Sequence, residues 1–79
     1  MRSNGYREAL VGVSRSEILQ VVEEYVHNAR ARELIRITMV DGHSYTDAAG
    51  MVQPEMSTNG VQDVINRWMP VVLDKLGDK

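Results

Sequence analysis

Ser57, Thr58, Asn59, Gln62, Asn66 and Arg67 bring hydroxyl, amide and guanidinium groups together in one short stretch of this 79-residue chain. These are side-chain types that read base edges in the major groove of duplex DNA, provided a helix presents them on one outward face. Val61, Val64, Ile65 and Trp68 repeat at helical spacing through the same stretch and supply the inward face. Thr58, Asn59, Gln62, Asp63, Asn66 and Arg67 are then left pointing outward.

A helix that reads DNA needs a second one to brace it. Gly42 has no Cβ and can take the left-handed conformation that closes a preceding helix. Ser44 follows, with Asp47 three residues on, a near capping box that starts a short helix. Ala48, Ala49 and Val52 form its inner face, and the two alanines allow close approach of another helix. Pro54 cannot donate to a helical ladder, so this helix ends by Gln53, and Ser57 begins the next as an N-cap. The spacing predicts a helix-turn-helix at about residues 44–68. The same pattern also fits two amphipathic helices with an ordinary solvated face, as in many all-α proteins that never touch DNA.

The remaining chain is helical wherever a period is visible, so the expected fold is all-α: a small helical domain of four to five helices with no strands. Ser14-Arg15-Ser16-Glu17 has capping-box spacing and starts a helix carrying Ile18, Val21, Val22, Tyr25 and Val26, which ends near His27-Asn28. Asn28 then begins a segment to Gly42 with Ala31, Leu34, Ile35, Thr38 and Met39 as its stripe. Arg32 and Arg36, four apart on that segment, share a face. They fit either a solvated face with Glu–Arg pairs or contacts to DNA phosphates beside the reading helix. Residues 1–13 are expected to be flexible, with Tyr6, Leu10 and Val13 able to dock a brief turn. Pro70 should kink the reading helix or start a separate short helix over 70–77. The apolar face of that short helix, Val72, Leu73 and Leu76, either completes the core or forms the seam of a homodimer, and the seam is favoured.

Length and composition suit a single domain, residues 1–79, with 43% hydrophobic and 25% charged residues. The net charge of −2 runs against the basic balance common in DNA binders, although Arg30, Arg32 and Arg36 cluster locally. No cysteine is present, which excludes disulfides and thiolate metal sites. No apolar run reaches membrane-spanning length and no signal-peptide pattern is visible, so a cytoplasmic location is expected. His27 and His43 lie sixteen residues apart, outside any metal-ligand spacing, and no calcium loop or phosphate-binding glycine loop occurs. No cofactor, metal or small-molecule ligand is indicated, and the chain is not expected to be an enzyme.

With MVDG (39–42), DAAGMV (47–52), STNGVQDV (57–64) and NRW (66–68) in place, the chain resembles the small plasmid-encoded KorA (TrfB-type) transcriptional repressors over roughly Ser14–Trp68. More loosely, its GHS step resembles the PapB-like fimbrial regulators. The resemblance implies a homodimer on a palindromic operator in double-stranded DNA, each second motif helix in a major groove. It carries base-reading roles onto Thr58, Asn59, Gln62, Asn66 and Ser57, phosphate or base contact onto Arg67, and close approach onto Gly60. Two departures stand out: the turn QPEM (53–56) is one residue longer, and Asp63 puts a negative charge near phosphates. A competing expectation is a helix-turn-helix-like protein-interaction module, an antirepressor or adaptor that does not itself bind DNA.

Overall fold

The computed structural model describes residues 4–77, and over them the chain is all-α with no strand. Five helices follow one another: α1 (Asn4–Ala9), α2 (Arg15–Tyr25), α3 (Ala29–Ile35), α4 (Tyr45–Met51) and α5 (Thr58–Gly77). α3 runs directly into a π-helical turn, Arg36–Val40.

Local chemistry sets most boundaries. The Ser14 hydroxyl accepts from the Glu17 N–H at 3.1 Å, Asn28 Oδ1 from Ala31 at 3.0 Å and Ser44 Oγ from Asp47 at 3.1 Å. Ser57 Oγ accepts from Gly60 N–H at 3.0 Å and starts α5. Each side chain satisfies a first-turn donor that has no partner within the helix. Gly42 closes the α3 segment with φ +86°.

The π turn explains a departure from simple periodicity. Its wide loop is closed by Asp41 N–H donating to Arg36 O at 2.8 Å, five residues back. The extra residue brings Ile37, Thr38 and Met39 inward together, where a regular helix would expose one of them. Thr38 is buried without penalty because its hydroxyl donates to Leu34 O at 2.8 Å.

α5 is the spine. α2, α3 and α4 all pack on it, through Val61, Ile65, Met69 and Val72, which are fully buried. Against them lie Val22 and Val26 from the α2 region, Ala31, Leu34 and Ile35 from α3, and Ala48, Ala49 and Val52 from the α4 region.

Three expectations change. Residues 4–9 form α1, and Tyr6, Leu10 and Val13 dock on the core as expected of a brief turn, so the flexible stretch expected over 1–13 does not extend through them; residues 1–3 lie outside the described residues. The separate helix over 70–77 does not exist: α5 runs through Pro70 to Gly77. Pro70 is exposed, so its missing N–H falls on the wet side of the helix, while Met69 and Val72 anchor both halves in the core. Finally, Val72 is inside the chain's own core and Leu73 and Leu76 pack partly against it, so Val72 is not a surface available to a partner.

Candidate nucleic-acid interface

α4 and α5 form the expected pair, joined by residues 52–57. The connection is held from three sides. Met56 N–H donates back to Ala49 O at 3.0 Å. Val52 is buried. Arg30, on α3, donates Nη1 to Pro54 O at 3.1 Å and Nη2 to Gln53 O at 3.3 Å. The guanidinium fork spans two successive carbonyls of the turn, so the first helix of the α3–α4–α5 unit fixes how the second meets the third. Sequence spacing gave no sign of this role, because the contact is more than twenty positions long.

On α5, the positions opposite the buried line are identified by helical geometry. Asp63 lies two positions from both Val61 and Ile65, and Arg67 two positions from both Ile65 and Met69, about 200° around the helix in each case. Asn59, Asp63 and Arg67 therefore form the outermost ridge, and all three are exposed. Thr58, Gln62 and Asn66 lie along one flank of it. Thr58 and Asn66 are exposed and Gln62 is half-buried. The flank faces α4, since Thr58 Oγ1 donates to Thr46 Oγ1 across the two motif helices at 3.4 Å. On the other flank, Asp63 and Arg67 join Val64, Trp68, Asn28 and Arg30 in lining a groove beside α3.

Of the six residues expected to read DNA, Asn59 and Arg67 stand on the outer ridge, Thr58, Gln62 and Asn66 lie on the flank toward α4, and Ser57 precedes α5. Ser57 is already committed as an acceptor in its cap. Gly60 does not sit open to the exterior: a Cβ there would meet Met56 Cε and Ser57 Oγ at 3.3 Å.

Arg32 and Arg36 are engaged within the chain. Arg32 donates Nε to Val26 O at 2.6 Å and Nη2 to Glu23 O at 3.0 Å, covering the free carbonyls at the end of α2. Arg36 pairs with Asp41 at 2.9 Å, and the same carboxylate takes Arg15 at 3.1 Å. Arg7, from α1, donates to the carbonyl of His43, just ahead of the α4 cap. Lys75 Nζ rests 5.0 Å from the centre of the Tyr25 ring. Among the described residues, Arg67 is the one Lys or Arg with no such partner.

Beside Arg7, burial raises the pKa of the Tyr45 phenol, an effect Arg7 opposes and Tyr6 adds to. Tyr45 Oη and Arg7 Nε are both buried and have no hydrogen-bond partner among the described residues. Among the described residues no cluster of three metal-ligating side chains occurs, and no helix is long and apolar enough to cross a membrane.

Comparison of the chain with models of known families, with characterised proteins and with solved structures finds no match. The likeness to the plasmid repressors therefore rests on the short motifs alone.

Proposed function

We propose that this chain is a sequence-specific DNA-binding transcriptional regulator that lays α5 in the major groove. The observation that carries the reading is the α4–α5 arrangement, with Asn59, Asn66 and Arg67 exposed on α5 away from the core and Gln62 half-buried on the flank beside them. Amides and a guanidinium present fixed donor and acceptor patterns to base edges, which a face evolved only for solubility does not need. The motif likeness to KorA-type proteins supports a cytoplasmic plasmid repressor that acts as a homodimer on a palindromic site. A two-fold arrangement would place one α5 in each of two half-sites about one helical turn of DNA apart.

Selection of bound duplexes from a random pool, at low and at moderate salt, tests this directly. The expected result is an enriched palindrome that is lost in Gln62→Ala and Arg67→Ala, with Gln62→Ala or Asn66→Ala weakening specific binding by about 1–3 kcal/mol. Recovery of DNA without sequence preference, vanishing as salt rises, would leave backbone attraction only.

A second reading has its own observation. The exposed side of the α4–α5 unit carries Asp47, Glu55 and Asp63 against Arg67 alone, and the other described cations have partners within the chain. That charge suits a protein partner with a basic surface, as in an antirepressor or adaptor. Folded protein that enriches no duplex but binds one protein stoichiometrically through the α5 ridge would favour it.

A further inference from the structure

The ridge of α5 has an acid at its centre. Asp63 sits one turn after Asn59 and one turn before Arg67, with its side chain exposed. Neither Asp63 nor Arg67 has an ion pair or hydrogen bond among the described residues, although a spacing of four on a helix permits one between them. A helix entering the major groove with this ridge foremost brings the carboxylate to the floor of the groove, between two strands of phosphates. There it is tolerated only where a base offers it a donor. A carboxylate can only accept, and in the major groove the cytosine N4 amino group is a donor with no acceptor of its own beside it. Arg67 can only donate, and its fork matches the two acceptors of guanine, O6 and N7. Successive turns of the ridge are about 6 Å apart, the height of one to two base-pair steps.

Building on the DNA-binding reading above, we propose that Asp63 is a specificity-determining residue: it selects cytosine, and Arg67 selects a guanine one or two steps away, so each half-site carries a C and a G at that spacing. Asp63 then acts chiefly by exclusion. Guanine O6 and thymine O4 present acceptors to the carboxylate and are repelled, so the acid lowers affinity for wrong sites more than it raises affinity for the right one.

The test is base-preference profiling of the full chain, its Asp63→Asn variant and its Arg67→Gln variant from the same random duplex pool. Circular dichroism confirms that each exposed substitution leaves the fold intact. The unmodified chain is expected to favour cytosine at one position of each half-site by about tenfold or more. Asp63→Asn should cut that preference to within about twofold while tightening binding to unrelated duplexes, since the repulsion is gone. Arg67→Gln should remove the guanine preference nearby. An enriched site that is purely A·T, or a profile that Asp63→Asn leaves unchanged, overturns the assignment of Asp63 while the DNA-binding reading stands. A folded chain that enriches no sequence overturns both.

Discussion

Arg32 donates from Nε to the carbonyl oxygen of Val26 at 2.6 Å, so the arginine best placed by spacing to reach a phosphate is the cap of the preceding helix. Its second bond, to Glu23 O, lies one turn further back in α2. A hydrogen bond from a charged donor contributes up to about 1.5–3 kcal/mol, and of the two that Arg32 makes one is only partly buried and the other exposed, so together they are worth about one such bond. Arg32→Ala should therefore lower unfolding stability by about 1.5–3 kcal/mol in urea titrations. Arg32→Lys should recover only part of it, because an ammonium cannot span two carbonyls as a fork does. A large fall in DNA affinity with stability unchanged would instead make Arg32 a phosphate contact.

Engagement of the other cations has a consequence for salt. Each phosphate neutralised by a protein cation contributes about −0.9 to the slope of log K against log [salt]. With Arg67 the unpartnered cation among the described residues, a dimer should give a slope no steeper than about −2, and shallower still where Arg67 is engaged by a base and not a phosphate. Equilibrium titrations at several salt concentrations measure it. A slope steeper than about −5 would mean that Arg15 and Arg36 leave Asp41 when DNA arrives, since exposed ion pairs contribute about 1 kcal/mol or less and are easily exchanged.

The continuous α5 makes Pro70 and Val72 informative together. Pro70 interrupts the hydrogen-bond ladder of a helix that is otherwise intact, and it is exposed. Pro70→Ala should raise stability by about 1–3 kcal/mol by restoring the missing N–H and removing the ring clash. Val72→Ala should lower it by about 1.5–3 kcal/mol, from lost burial and the space left behind. Both shifts should be independent of protein concentration, because Val72 is buried within a single chain. A Val72→Ala effect that grows on dilution would return that position to a dimer seam.

What the sequence made legible was what is local. Ser14, Asn28, Ser44 and Ser57 cap the next few residues, and a hydroxyl or amide three positions before its N–H target can be read by eye. Gly42 is legible for the same reason: the chain must turn where no Cβ is tolerated. The site face on α5 follows from its buried residues, yet the ridge was harder to see. The outward set from Thr58 to Arg67 is visible in the sequence, but which of it stands foremost depends on the buried line of Val61, Ile65 and Met69, which puts Asp63 and Arg67 there. The roles of Arg7, Arg30 and Arg32 were not legible at all, because each long side chain reaches a backbone carbonyl that has no sequence signature. Pro70 allows either a continued helix or a new one by local rules, and only its setting among core residues decides between them. Two fully buried neighbours, Met69 and Val72, outweigh one missing hydrogen bond on the wet side.

Tyr45 provides a pH test of how α1 meets the motif. Its phenol is held above the ordinary tyrosine pKa of 10.0 by burial, with Arg7 opposing the shift and Tyr6 reinforcing it. A raised folded-state pKa means that the folded chain holds this proton more tightly than the unfolded one. The linked stability is fully present below the unfolded pKa, near pH 10, and is lost as pH rises through the folded value. Stability should thus be insensitive to pH through Tyr45 near neutrality and should decline above pH 10, and Tyr45→Phe should make that decline shallower. At neutral pH the same Tyr45→Phe change removes a buried hydroxyl that has no partner, so stability should stay the same or rise by up to about 1 kcal/mol. A clear loss at neutral pH would show that the hydroxyl is bonded in solution, most simply through a water shared with the equally unpartnered Arg7 Nε. Arg7→Lys separates these cases. It keeps a cation near Tyr45 but removes the fork that reaches the His43 carbonyl, so it should weaken α1 docking while leaving the alkaline limb in place.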